Sequence, residues 1–177
     1  MLQTPLGDVL LSRLNECVES GPISPVARPG HWRTVPYQAE GFDGVMLGCG
    51  EATCPEPVRL RLGATGLYRI WLGLYAWGSG TIRVRLTRDL CCTQFSAPPY
   101  GVLESPVLHG LLWKECDLTG QDLWLEGAYA GEPLAGALAY LHLEPVESLP
   151  EAQPGPQVWR GMCITNDGCG VFRHGPH

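Results

Sequence analysis

Two runs of alternating apolar and polar residues stand close together between Pro57 and Arg88, in the stretch PVRLRLGATGLYRIWLGLYAWGSGTIRVRLTR. Such alternation is typical of strands with one buried face, because successive side chains point to opposite sides of a strand. A turn over residues 76–80 would join the two runs into a β-hairpin, and a shift of one residue would mix its faces. The predicted cross-strand pairs are Tyr75 with Thr81, Leu74 with Ile82, Leu72 with Val84, Ile70 with Leu86, Gly73 with Arg83 and Trp71 with Arg85.

This register gives the hairpin one aliphatic face and one aromatic and cationic face. Each aliphatic side chain would stabilise the fold by about 1.5–3 kcal/mol if buried, so a second sheet is expected to cover that face. Aromatic rings can stack on the C–H patches of a sugar while guanidinium groups bind its hydroxyls. The predicted glycan-binding residues are Trp71, Tyr75, Arg83 and Arg85, with Trp77 at the tip of the hairpin. The alternative is that Trp71 stacks on Arg85 across the strands, or that the N-terminal helix covers this face.

The composition excludes several classes of protein. Glycine and proline are abundant, at 23 and 16 of 177 residues, and only 17% of residues are charged, which favours short strands and turns. A net charge of −6 argues against a nucleic-acid partner, and no apolar run approaches the ~20 residues of a membrane span. The N-terminal residues lack signal-peptide features, so the chain as written is expected to be cytoplasmic, with export left open if its start is incomplete.

Taken in order, the chain predicts four segments. Residues 1–30 hold a helix, capped at Thr4 and ended by Gly21, and a proline-rich connector. Residues 31–145 hold seven or eight strands and little helix, which predicts an all-β, jelly-roll-type antiparallel β-sandwich. Residues 146–157 are a Pro-rich linker, and residues 158–177 begin a second domain that is too short to fold alone.

Several of these segments together resemble a known family. The runs GVMLGCG, PVRLRLGATGLYRIWLGLY, IRVRLTRD, LWKECDLTGQDLWLE and ALAYLHLEPV are similar to the N-terminal jelly-roll module of a family of uncharacterised bacterial proteins. In that family the sandwich, which is like a carbohydrate-binding module, precedes a (β/α)8 barrel related to glycoside hydrolases. The segment ITNDGCGVF resembles the first barrel strand, but the rest of the barrel is missing and the tail RHGPH does not continue it, so a fragment is expected.

The resemblance implies a non-catalytic accessory module of a carbohydrate-active protein, with a poly- or oligosaccharide and an adjacent barrel domain as partners. One alternative is a purely structural sandwich that braces the barrel without a ligand. A further alternative is a fragment of a hydrolase whose active site lies in the missing barrel. The chain itself carries no GxSxG, P-loop or dinucleotide motif, so no catalytic residue is predicted within it.

Two further sets of polar or reactive residues have structural explanations. Asp117, Thr119 and Asp122 form a turn whose side chains either cap backbone groups or bind a structural calcium ion; no other cofactor is predicted. Eight cysteines are scattered without paired CxxC motifs, so we expect reduced, small apolar side chains with no assigned role.

Overall fold

The computed structural model describes residues 7–39, 42–49, 55–76, 81–96, 109–127 and 136–147. Within them the chain forms one helix, α1 (Leu14–Cys17), and a series of strands. The strands are β1 (Val9–Leu11), β2 (Val18–Ser20), β3 (Ile23–Ser24), β4 (Trp32–Ala39), β5 (Phe42–Cys49), β6 (Val58–Leu60), β7 (Leu67–Ala76), β8 (Thr81–Leu86), β9 (Thr93–Ser96), β10 (His109–Asp117), β11 (Leu123–Glu126) and β12 (Gly136–Pro145). Trp77, the linker beyond residue 147 and the barrel-like stub lie outside the described residues.

The strands form two sheets, which confirms the predicted all-β sandwich. The seven-stranded sheet has the order β10-β7-β12-β5-β4-β3, with β1 also paired to β12. The five-stranded sheet has the order β2-β6-β11-β8-β9. The strand pairs are antiparallel apart from β3 and β4, which run parallel. Residues up to Glu147 belong to one compact unit.

The core contains the aliphatic halves of the two alternating runs. Ile70, Leu72 and Leu74 are at most 1% exposed, and they join one cluster of buried residues with their counterparts on β8. Those counterparts, Ile82, Val84 and Leu86, are at most 2% exposed. The predicted division of each run into a buried and an outward face is therefore confirmed.

The predicted hairpin is wrong, because β7 and β8 belong to different sheets. β7 lies between β10 and β12, whereas β8 lies between β11 and β9. Trp71 is opposite Leu112 and His142, and Arg85 is opposite Trp124. Alternation determines which side chains of a strand are buried but does not determine its neighbour. Two strands that face each other across a core show the same pattern as two that pair side by side.

The N-terminal helix is confirmed, but it is far shorter than predicted. Only Leu14–Cys17 is helical, and the strands β1 and β2 flank it where the pattern predicted more helix. Leu14 is fully buried in the core, while β1 pairs with β12 and the carbonyl of Ser12 accepts a hydrogen bond from the Val45 amide at 2.8 Å. Backbone pairing with the sheet thus outweighs a weak helical propensity.

Double-mutant cycles test this sheet assignment. The Arg85 guanidinium carbon lies 4.9 Å from the ring centroid of Trp124, so we expect Arg85→Ala and Trp124→Ala to be coupled by about 0.5–1 kcal/mol. Arg85→Ala and Trp71→Ala should be additive within error, because their side chains lie on opposite sides of the sandwich. Urea unfolding of the single and double variants measures both terms, and a coupling between Trp71 and Arg85 would favour the hairpin.

Candidate functional site

The structure separates the residues of the predicted glycan site. Trp71 and Tyr75 lie on the outer face of the seven-stranded sheet, because the alternate residues of β7 are in the core. By the same argument Arg83 and Arg85 lie on the outer face of the five-stranded sheet. The four residues therefore do not share one face, and the predicted combination of Trp71 with Arg85 does not form.

The outer face of the five-stranded sheet is occupied by contacts between its own side chains. Trp124 lies between two guanidinium groups, with the Arg59 carbon 5.9 Å and the Arg85 carbon 4.9 Å from its ring centroid. Arg59 donates to Asp122 at 2.8 Å, and Arg85 donates to Glu126 at 2.7 Å. The two cations and the ring thus stabilise one another, which leaves Arg85 poorly suited to bind an incoming ligand.

Glu126 and Cys92 complete this network. Burial raises the pKa of the Cys92 thiol, and its hydrogen bond to Glu126, with sulfur and oxygen 2.7 Å apart, raises it further. Burial also acts to raise the pKa of Glu126, but the hydrogen bonds from Cys92 and Arg85 and the nearby positive charges outweigh it and lower that pKa. The thiol is therefore held protonated as a donor, and the carboxylate is held ionised as the acceptor.

The outer face of the seven-stranded sheet carries four aromatic side chains, Tyr37, Trp71, Tyr75 and Tyr140, which we call the tyrosine–tryptophan face. All four are partly buried. Three of them, Tyr37, Tyr75 and Tyr140, pack on a small cluster formed by Met46, Ala137 and Ala139. This cluster is separate from the main core, so the face has an apolar base of its own.

A β-bulge in β12 places Tyr140 on this face. The register of β12 against β7 shifts between Leu138 and Tyr140, so Ala139 and Tyr140 both point outward. Tyr140 is opposite Gly73, and its ring occupies the space that a side chain at Gly73 would fill. Its hydroxyl reaches further across the sheet, to 3.1 Å from the position that a Cβ atom added to Gly110 on β10 would take. The side chain of Tyr140 therefore extends across β7 towards β10.

Tyr37 has a similar arrangement on the neighbouring strands. Its ring occupies the side-chain space of Gly44, its cross-strand partner on β5. Its hydroxyl donates to the carbonyl oxygen of Ala139 at 2.8 Å, at the bulge where the ladder with β7 is interrupted. Burial, and to a smaller extent the nearby Tyr140, raises the pKa of Tyr37 to about 12. The phenol thus stays protonated and supplies a donor to a carbonyl that the bulge leaves out of the ladder.

Trp71 is held by charged neighbours. Its indole Nε1 donates to Glu144 at 3.1 Å. Arg69 lies between two carboxylates, donating to Glu115 at 3.1 Å and to Glu144 at 3.5 Å. This hydrogen-bonded row fixes one edge of the indole and leaves polar groups beside it. Such groups can bind sugar hydroxyls.

Exposed leucines extend the apolar surface on both sides of Trp71. Leu112 of β10 and His142 of β12 are its cross-strand neighbours, and Leu10 of β1 is opposite His142. Leu112 is 45% exposed and Leu10 is 48% exposed. His142 lies 3.4 Å from the carboxylate of Asp8. This row of side chains crosses β10, β7, β12 and β1.

The sequence interpretation missed Tyr37 and Tyr140. The alternation within β12 placed Tyr140 on the same side as Leu138, which the bulge reverses. The sequence contains one indication that a ring covers these strands, namely the two glycines Gly44 and Gly73 within them. Glycine inside a strand indicates a bulge or the close approach of another group. The partner of each glycine could not be identified without the register.

The turn at residues 117–122 uses its polar side chains locally. Asp117 accepts from the Thr119 amide at 2.9 Å and from its hydroxyl at 2.6 Å, and these bonds lower the pKa of Asp117. Asp122 instead binds Arg59. Among the described residues, no group of three or more histidine, cysteine, aspartate or glutamate side chains is placed to bind a metal ion. Calcium at this turn stays an untested prediction.

The described cysteines do not form disulfides with one another. Cys17, Cys49, Cys91, Cys92 and Cys116 are free thiols, and Cys49 is buried in the core. Burial raises the pKa of Cys17 and of Cys116. Raised values keep thiols protonated and unreactive, which is typical of cysteines that pack as small apolar side chains.

The fold and this face define the class of the molecule: an all-β sandwich with an aromatic surface on its larger sheet. No protein-family model and no curated protein matches the chain. Among solved structures, the crystal structure of a ruminal GH26 endo-β-1,4-mannanase is similar, with a TM-score of 0.32 and 9% sequence identity. The similarity covers 56% of this chain and 20% of the mannanase. No helix in the described residues is long and apolar enough to cross a membrane.

Substitution of glycine tests how Tyr140 is seated. Gly73→Ala should destabilise the fold by about 1–3 kcal/mol, because the new methyl group occupies the position of the ring. Gly110→Ala is the matched control and should cost less, since its methyl group would meet only the hydroxyl at 3.1 Å. When Tyr140 is also replaced by alanine, Gly73→Ala should lower the free energy of unfolding, measured in urea, by much less. An unchanged loss of stability in the double variant would contradict the position of the Tyr140 ring over Gly73.

Burial of the Tyr37 phenol makes the stability of the fold depend on pH in the alkaline range. The pKa of Tyr37 is raised in the folded state to about 12, so its stabilising effect is fully present below the unfolded value of about 10 and is lost as pH rises towards 12. We expect the stability difference between wild type and Tyr37→Phe to be constant up to about pH 10 and to shrink above it. Urea midpoints measured from pH 8 to 12 check this; a difference that grows above pH 10 would refute it.

Proposed function

We propose that the chain is a non-catalytic glycan-binding module that accompanies a carbohydrate-active protein. The observation that carries this proposal is the tyrosine–tryptophan face, where rings lie against glycines and the indole of Trp71 is fixed by Glu144. Rings that are partly exposed on the surface of a sheet can stack on the C–H side of a pyranose. The association with a glycoside-hydrolase barrel comes from the sequence resemblance.

The dimensions of the face favour an extended glycan over a single sugar. Trp71 and Tyr75 are four positions apart on one strand, which corresponds to about 13 Å. Two platforms at that separation suit a chain of several sugar rings, with one ring stacked at each end. Arg69, Glu115 and Glu144 lie beside Trp71 and offer donors and acceptors to hydroxyl groups.

The carboxylates on this face suit binding better than catalysis. Glycoside hydrolysis uses two carboxyl groups, one of which has a raised pKa from burial. The side chains of Glu115 and Glu144 are 44% and 36% exposed, and both are paired with Arg69. We therefore assign them to hydrogen bonding and place no reaction on this chain.

The exposed leucines favour one alternative, a sandwich that braces a neighbouring domain. Leu10 and Leu112 flank Trp71 with about half of each side chain exposed. Large apolar side chains that line up with an aromatic ring are also typical of protein interfaces. In this alternative the face packs against protein, and Trp71 has no sugar partner.

Affinity electrophoresis in gels that contain plant or bacterial polysaccharides distinguishes the two functions. Retardation on a binding polymer should be weakened about tenfold in Trp71→Ala, because the loss of a stacking contact costs up to about 1.5 kcal/mol. Tyr75→Ala should show a similar loss. Trp124→Ala is the matched control, since it removes the same ring type from the opposite side of the sandwich, and it should bind normally.

Two results would contradict glycan binding on this face. One is an absence of retardation on every polymer by the folded protein, which would favour the bracing role. The other is a loss of retardation in Trp124→Ala that equals the loss in Trp71→Ala. Circular dichroism of each variant shows whether the fold is retained.

A further inference from the structure

A second candidate site lies at the edge of the sandwich, away from the tyrosine–tryptophan face. It is an open cleft of about 570 Å³ between the loop that follows β8 and the middle of β10. The cleft is shallow and open to solvent. The side chains that matter for binding are Arg88, Asp89, Leu90, Thr93, Trp113 and Lys114.

The cleft is built by contacts between the two sheets. Lys114 follows the bulge in β10 and binds both carboxylate oxygens of Asp89 at 2.6 Å, which ties β10 to the loop after β8. Asp89 also accepts from the amide of Leu86 at 2.8 Å. The loop is therefore anchored at its start, and the position of the Lys114 ammonium group is defined.

Arg88 is anchored to a different part of the fold. Its backbone amide donates to Gln121 at 3.3 Å, and its Nη2 donates to the carbonyl oxygen of Thr119 at 2.8 Å. A guanidinium group has five N–H donors, so this carbonyl takes up only part of its capacity. The bond to Thr119 therefore fixes the guanidinium group of Arg88 at the rim of the cleft. Its other N–H groups can donate to a ligand.

The aromatic wall of the cleft is also ordered. The indole Nε1 of Trp113 donates to Thr93 at 3.2 Å, and Phe95 packs edge-on with ring centroids 6.2 Å apart. The ammonium of Lys114 lies 4.6 Å from the ring centroid of Trp113. Leu90, which also lines the cleft, is fully exposed.

The charges of the cleft select the class of ligand. Lys114 is paired with Asp89, whereas Arg88 donates to a carbonyl oxygen and brings a further positive charge to the cleft, in a chain whose net charge is −6. A carboxylate on a ring that stacks on Trp113 would be a partner for Arg88. We propose that the cleft binds a pyranose that carries a carboxylate, that is, a hexuronate unit. This inference does not rest on glycan binding by the tyrosine–tryptophan face.

The test uses two probes that differ only in the acidic group. Methyl β-D-glucuronoside and methyl β-D-glucoside are titrated into the whole chain, and the indole N–H resonance of Trp113 is followed by NMR, after assignment with Trp113→Phe. We expect a saturable shift with the glucuronoside and a much smaller one with the glucoside. Inorganic phosphate, the third probe, should give little shift because it lacks the ring. Equal shifts with either of these two probes would overturn the proposal.

Surface variants with matched controls locate the site. Leu90→Asp adds a negative charge at a fully exposed position, so it should leave the fold intact and weaken glucuronoside binding by at least about fivefold. Val26→Asp adds the same charge at a residue that is 55% exposed on the loop before β4, and it should have no effect. Equal affinities for wild type and Leu90→Asp would overturn the proposal.

Substitution of Arg88 tests the role of the cation. Arg88→Gln should weaken binding about tenfold through the loss of a charge-assisted hydrogen bond, whereas Arg28→Gln, at an exposed loop position, should not. Trp71→Ala should keep full affinity for the glucuronoside. Loss of affinity in Trp71→Ala would place the ligand on the tyrosine–tryptophan face and overturn the assignment, whatever the outcome with neutral polysaccharides.

Discussion

The hydrophobic core that takes up the aliphatic sides of both β7 and β8 determines the other features of this molecule. Ile70, Leu72 and Leu74 belong to the same cluster of buried residues as their counterparts on β8, although the two runs are close in sequence. Because both runs bury their aliphatic side chains, both must point their other side chains outward, in opposite directions. The fold therefore has two outer surfaces of different character, and the properties of each follow from which residues alternate with the core positions.

The two outer surfaces differ in how completely their side chains are satisfied. On the five-stranded sheet, Arg59 and Arg85 each have a carboxylate partner and each contact the ring of Trp124. On the seven-stranded sheet, the carboxylate partners are concentrated around Arg69, and the rings beyond Trp71 rest on glycine and alanine. These rings are only partly buried, so a ligand that covers them would add to the free energy of binding.

Much of the fold could be predicted from segments in which apolar and polar residues alternate. The strands Leu123–Glu126 and Gly136–Pro145 lie in the part of the chain for which the sequence predicts seven or eight strands. β1 and β2 were not predicted, because three-residue strands are too short for any period to be recognised. β9 was also missed, since in Thr93–Ser96 only Phe95 is apolar. The pairing of β7 with β10 and β12 depends on long-range contacts that no local pattern encodes.

The candidate site was predicted only in part, for a related physical reason. Trp71 and Tyr75 were identified because outward positions of β7 follow directly from alternation. Tyr140 is on the same face only because β12 contains an extra residue, and Tyr37 reaches it because its hydroxyl satisfies the carbonyl of Ala139 at that point. A bulge costs ladder hydrogen bonds, so a donor must be found for the group it leaves unpaired. The aromatic surface is thus the means by which the irregular strand is stabilised, which explains why the same residues serve structure and, as proposed, binding.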